Sequence, residues 1–372
     1  ALEASIEHPP DGYPGDRVRE AALHLAVLRA FVLRVADRFE EALKVGAHVL
    51  EKLPPNATRI RGILQFNIGA THLRLANMEE ARRYLKEAYE SCLRSDVPYL
   101  VLASLGHRGA ITAQTTGIPA ARKELAAAML FAEEEGLDGV PAFAIVLYQM
   151  AHLHYLADEI EEARGYLEKA LALTRGERET DIHANVLIQL ARAEGAAGNH
   201  DRADELLAKG SALAYSYNVK PFATTLDVER ARLEEARTGK LQAPENAPPS
   251  AETDAAWSTW SEAETVLQLQ HCLKLERVDV AHELAVRLKA ESEPRGRGVA
   301  LALALLAEAV LTQDASIRES ALAAGLDLSA SRGYVRPLMD GGPAIRHLLE
   351  TGLGPPLSPF LQRLYLDTVG TG

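Results

Sequence analysis

Apolar positions recur three and four apart along almost the whole chain, and no stretch alternates apolar with polar over six residues. That period predicts helices and no strands. Residues 58–97 show the unit most clearly. A first helix, RIRGILQFNIGATHLRL, runs into a turn at Ala76-Asn77, and a second helix, MEEARRYLKEAYESCL, carries Ala81, Leu85 and Ala88 on one stripe. Gly69 sits in the middle of the first helix. A glycine there costs up to about 1 kcal/mol, so a packing reason is expected. In a helical hairpin that reason is the close approach of the partner helix.

The unit repeats. A turn, an apolar residue or His, two mostly polar residues and a small anchor recur as DRFEEA at 37–42, NMEEA at 77–81, GIPAA at 117–121, EIEEA at 159–163, NHDRA at 199–203 and RVDVA at 277–281. The anchors Ala42, Ala81, Ala121, Ala163, Ala203 and Ala281 are spaced by 39, 40, 42, 40 and 78, the last being two periods of 39. Self-similarity of this kind marks a repeat array. Because each repeat touches only its neighbours, one domain can span all 372 residues. The spacing predicts about eight hairpins over 1–372, with a degenerate repeat and exposed Pro-rich loop near 234–256 and a cap over 333–372 ending in a helix, PLSPFLQRLYLDTVGTG. Trp257 and Trp260, three apart, are expected on one helix face, filling core beside the degenerate repeat or edging a pocket.

The anchors resemble those of the tetratricopeptide repeat (TPR): a small residue, a second one 12 later, a large apolar residue at +4 and a small one at +7. Gly69, Ala81, Leu85 and Ala88 fit it, as do Gly109, Ala121, Leu125 and Ala128; Ala151, Ala163, Leu167 and Ala170; and Ala191, Ala203, Leu207 and Gly210. The resemblance implies an all-α, right-handed superhelix of hairpins with a period of about 40, whose first helices line a concave groove. Groove positions then fall 18, 15, 11 and 8 before each anchor. The candidate ligand-binding residues in that register are Phe66, Tyr148, His152, Tyr155, Asn185 and Arg192, joined by Glu229 in the degenerate repeat. They mix aromatic faces with hydrogen-bonding groups, as a small polar-apolar ligand or a peptide requires. The competing reading has the tyrosines packing between hairpins and Arg192 pairing with a neighbouring acid.

Composition narrows the chemistry. The formal charge is −12 and no Lys/Arg-rich tract occurs. Direct contact with nucleic acid is therefore not expected. Cys92 and Cys272 lie apart in helical patterns and form no CxxC site, which fits a reducing, cytoplasmic setting. Residues 299–311 are apolar but too short to span a membrane, and Glu308 interrupts them, so a buried helix is expected. His152 and His154 are two apart and would point in different directions on a helix, which does not suit a metal site. The pairs Glu40-Glu41, Glu79-Glu80 and Glu161-Glu162 fall in first turns of second helices, where they favour the positive helix end. GxSxG, HExxH, GxGxxG and GxxxxGK[ST] are all missing. An enzyme is not expected, nor is a cofactor or metal.

One segment carries a further resemblance. Residues 324–350, AGLDLSASRGYVRPLMDGGPAIRHLLE, are similar to the end of the repeat region in the MalT-like family, the large ATP-dependent LuxR-type transcription regulators. The matching residues are Gly333, Tyr334, Val335, Arg336, Leu338, Asp340 and Gly342, then Ile345, Leu348 and Leu349. The stretch at 53–88 resembles that family's second repeat. The resemblance implies the sensor segment of a larger regulator, binding a small-molecule inducer or a regulatory protein or peptide in the groove and self-associating within the full-length protein. A free-standing TPR scaffold for a peptide or protein partner is the alternative.

Overall fold

The computed structural model describes residues 15–174, 181–217, 220–238, 257–340 and 343–352. Every described element is a helix. They are α1 (Gly15–Val35), α2 (Phe39–Lys52), α3 (Thr58–Arg74), α4 (Met78–Arg94), α5 (Pro98–Thr115), α6 (Ile118–Glu134), α7 (Phe143–Leu156), α8 (Ile160–Thr174), α9 (Asp181–Ala196), α10 (His200–Tyr217) and α11 (Lys220–Thr238). After the undescribed stretch 239–256 come α12 (Thr259–Lys274), α13 (Val278–Ser292), α14 (Gly298–Leu311), α15 (Ala315–Arg332), the short α16 (Arg336–Met339) and α17 (Pro343–Gly352). The Pro-rich part of the expected degenerate repeat and the final stretch 353–372 lie outside the described residues.

Consecutive helices pack as hairpins: α1 with α2, α3 with α4, and so on to α9 with α10, then α12 with α13 and α14 with α15. The turns explain why. In five of them the residue five before the anchor is left-handed: Asp37, Ala76, Asp158, Gly198 and Glu276, with φ between 54° and 81°. One such residue reverses the chain and lets the next N–H groups satisfy the last carbonyls of the helix just ended. The third hairpin departs from this rule. Its positive φ belongs to Gly117, four before Ala121, and a Cβ there would lie 2.8 Å from the Cα of Arg332.

All six anchors are buried, none more than 3% exposed. Leu85, Leu125, Leu167 and Leu207 at +4 are buried as well. The small residues of the first helices meet them. A Cβ on Gly69 would come 2.9 Å from the Leu85 side chain, and one on Gly109 would come 2.4 Å from that of Leu125. The close approach expected from Gly69 is thus the crossing of each hairpin. The paired glutamates of α2, α4 and α8 sit in their first turns.

The superhelix turns back on itself. Inner helices of the last hairpins touch inner helices of the first ones: α12 against α3, α14 against α5, α16 against α7. One core runs across this contact, joining Met78, Ala81, Leu85 and Ile111 to Leu269, Leu284, Leu303, Leu306, Val335, Leu338 and Ile345. Trp257 is buried in that core with the Arg287 guanidinium 5.4 Å from its ring centre. It precedes α12 and so does not share a helix face with position 260. The apolar run at 299–311 is the buried helix α14.

The crossing predicts unequal tolerance on α8. Ala163 is fully buried, whereas Ala172 is exposed. Ala163→Trp overpacks the crossing and should cost at least about 1–3 kcal/mol. Ala172→Trp should change the urea midpoint little. Equal losses would show that the hairpin register is wrong.

Candidate functional site

The segment Arg332–Asp340 closes the superhelix, and its chemistry follows from how helices end. The last carbonyls of a helix have no partner within it. At the end of α5, Ala113 O and Gln114 O are such groups; at the end of α7, so is Leu156 O. Gly333, left-handed at φ 79°, stops α15. The chain then reaches across. The Tyr334 hydroxyl donates to Ala113 O at 2.5 Å, the Arg332 guanidinium donates to Gln114 O, and the Val335 N–H donates to Leu156 O at 2.8 Å. Tyr334 is fully buried. Arg336 pairs with Asp158 in the α7–α8 turn at 2.7 Å. From the other side, the Gln114 side chain accepts the Val299 N–H at 3.2 Å.

Below this seam lies a network of six charges, half-buried except for the buried Glu229. The Tyr155 hydroxyl donates to Asp340 at 3.0 Å. Asp340 also lies 3.3 Å from Arg232 and 3.3 Å from Arg336. Arg232 reaches Glu229 at 3.6 Å, and the Nε of Arg192 donates to Glu229 at 2.9 Å. The guanidinium groups of Arg336 and Arg192 stand 5.3 and 6.0 Å from the centre of the Tyr155 ring. Three arginines face Asp158, Glu229 and Asp340, so the charges balance across α7, α9, α11 and α16. Burial alone would push the carboxyls of Glu229 and Asp340 up. The arginines outweigh it and hold both below the usual carboxylate range.

Of the seven residues expected to line the groove, Tyr155, Arg192 and Glu229 are therefore brought together. Tyr148, His152 and Tyr155 follow one another on a single face of α7, the first two half-buried. Asn185 is half-buried on α9. Phe66 lies apart on α3, its ring 5.8 Å from that of His107. His154 points elsewhere, bonding Glu159 at 2.5 Å and stacking on Tyr166. No group of three metal-ligating side chains converges among the described residues. The sequence register did not reveal Asp158, Arg232, Arg336 or Asp340 as parts of this cluster. The one available signal was the GYVR and Asp340 motif, whose role is closure.

The family model for the MalT-like TPR region matches residues 24–353. The chain belongs to the MalT-like TPR family. No curated protein matches it. Two solved structures are similar to this MalT-like TPR region along most of its length. A Rap protein complexed with competence and sporulation factor shares 14% identity, with 89% of this chain and 84% of that one covered and a TM-score of 0.51. The Rap conjugation gene regulator of plasmid pLS20, in complex with the Phr* peptide, shares 13%, with 88% and 82% covered and a TM-score of 0.53. Both likenesses show a TPR-type superhelical fold.

Two outcomes follow for the MalT-like TPR region. Tyr334→Phe leaves a buried carbonyl without its donor and should cost about 1–3 kcal/mol in urea unfolding. Arg336→Met removes the ion pairs that this side chain makes with both Asp158 and Asp340, so its loss should be larger, with faster hydrogen exchange at Val335. A neutral result for both would mean that the seam does not contribute to stability.

His107 and His152 are both pushed down to about 4, chiefly by burial. A depressed histidine binds fewer protons in the folded than in the unfolded state between about pH 4 and 6.5. Stability should therefore fall as pH is lowered through that window, by up to about 1.4 kcal/mol per pH unit for each. The slope difference between wild type and a His107→Gln/His152→Gln variant isolates this contribution.

Proposed function

We propose that this MalT-like TPR region is the sensor segment of a LuxR-type transcription regulator, and that it binds an inducer or a regulatory partner inside the superhelix. The carrying observation is the convergence of Tyr155, Arg192 and Glu229 on the closing segment through Asp340. A ligand seated against α7 and α9 would touch the same side chains that hold the molecule closed. It would shift the balance between closed and open forms only by binding one better than the other. In this reading the transmitted event is a change in the seam at residues 332–340, which biases self-association of the full-length regulator.

The site is one of binding rather than catalysis. The cluster's arginines and carboxylates pair with one another, and its one hydroxyl, that of Tyr155, is spent as a donor to Asp340. A peptide occupant is the second reading: the pLS20 Rap regulator, of similar fold, is complexed with a peptide. A small inducer would be enclosed near Tyr148 and His152. A peptide would extend along successive inner helices toward Phe66.

Hydrogen exchange of the chain with candidate ligands, followed by mass spectrometry, tests the proposal. A true effector should alter exchange both on α7 and at residues 333–340, and Tyr148→Ala should weaken its binding by roughly 30-fold, as loss of a central aromatic anchor often does. Effectors that change exchange only on outer helices would contradict it. The chain alone should neither hydrolyse ATP nor bind duplex DNA at 150 mM salt, given its charge of −12 and lack of a phosphate loop.

A further inference from the structure

The first helix of the array is apolar on two faces. On one, Val27, Ala30 and Leu33 are buried, and Val27 shares a core with Val49, Leu53 and Leu64. On the other, Leu28, Phe31, Val32 and Val35 are 57, 45, 60 and 52% exposed. Their spacing of i, i+3, i+4 and i+7 makes one stripe along α1. Single exposed apolar side chains, such as Leu130 on α6, need no explanation. A stripe on a terminal repeat does, because such repeats ordinarily present a polar outer face. The repeat register shows what this face does elsewhere. Val32 stands ten before the anchor Ala42 and Val35 seven before it. The residues ten before the next four anchors are Thr71, Ile111, Leu153 and Ala193, none more than 1% exposed. In α5 the cover is α14: Ile111 shares a core with Leu303 and Leu306, and Gln114, seven before its anchor, accepts the Val299 N–H. In α7 the corresponding Leu156 is buried, and its carbonyl accepts the Val335 N–H just ahead of α16. The closing row thus runs α16 on α7, α14 on α5 and α12 on α3. The next place in it is α1, where the stripe lies open.

We propose that the stripe of Leu28, Phe31, Val32 and Val35 is a docking surface for one amphipathic helix of a partner protein, which extends the closing row by one place. The chemistry required of that helix is a face of leucine- or valine-like side chains repeating every three to four residues. Helices of this kind engage through anchors at i, i+3, i+4 and i+7, the spacing that α1 itself offers. The size of the surface argues against a second copy as the occupant. A stable pair of proteins brings together roughly 20–30 residues a side, whereas the stripe supplies the face of one helix. The surface involves neither Tyr155 nor the seam, so its failure leaves the sensor reading untouched.

The probe is a fluorescently labelled model helix of leucine, glutamate and lysine, with its leucines in heptad register. An isomer of the same composition with scattered leucines is the control. Fluorescence anisotropy with the full chain should show binding of the amphipathic helix and none of the isomer. Leu28→Glu and Val32→Glu should each weaken that binding by roughly tenfold or more, and Leu130→Glu should leave it unchanged. All three positions are exposed, so the helical spectrum and melting temperature should stay those of wild type. Failure of the helix to bind, equal binding of the isomer, or equal affinity in all variants overturns the proposal. Two further readings assign the face to another occupant and overturn it as well. Sedimentation showing a dimer that Val32→Glu dissociates assigns it to a second copy. Slow maleimide labelling of Val32→Cys in the free monomer shows that the chain covers the stripe itself.

Discussion

The closed form depends on the unpaired carbonyls at the ends of α5 and α7. A hairpin can satisfy most of its helix ends within its own turn, and here the left-handed residue before each anchor does so. Ala113 O, Gln114 O and Leu156 O instead receive donors from residues some 180 to 220 positions away in the chain, namely Arg332, Tyr334 and Val335. Buried carbonyls without partners are costly. The last repeat is therefore held to the third and fourth hairpins by directional bonds as well as by a shared apolar core. An ordinary solenoid, stabilised between neighbours only, lacks such a long-range tie.

The charge network beneath the seam adds specificity rather than large net stability. Removing paired charges from water costs about as much as their attraction returns, so a buried ion pair is weak evidence of stabilisation. Breaking one pair is costly, because the partner is left buried and charged. That asymmetry suits a two-position device. The cluster of Tyr155, Arg192, Glu229, Arg232, Arg336 and Asp340 is satisfied when closed, and it needs a substitute anion or water when opened.

Much of the fold was legible in the sequence, because a TPR-like hairpin is a local object. Gly69 and Gly109 had to meet a partner helix, and Ala81, Ala121, Ala163 and Ala203 had to be its contact points; all are buried at those crossings. The groove register also named Tyr155, Arg192 and Glu229, which the structure brings into one network, with Tyr155 and Glu229 buried and Arg192 paired to an acid as the competing reading had it. What stayed hidden was long-range. Gly117 looked like another turn glycine, yet its bare Cα makes room for Arg332. Arg336 and Asp340 stood in a recognised motif, but no periodicity links them to Tyr155 or Arg232. Repeat spacing encodes neighbours and says nothing about which distant turn the final repeat will touch.

The central claim is that the superhelix is closed through this seam. A spin-label distance across it tests that most directly. Lys123 on α6 and Ala330 on α15 are exposed, and the native thiols Cys92 and Cys272 are buried, so Lys123→Cys/Ala330→Cys can be labelled selectively. Double electron–electron resonance should give one narrow distance distribution, and adding Tyr334→Phe and Arg336→Met should broaden it toward longer distances. A distribution already broad without those changes, or one that they leave unaltered, would contradict closure by the Arg332–Asp340 segment.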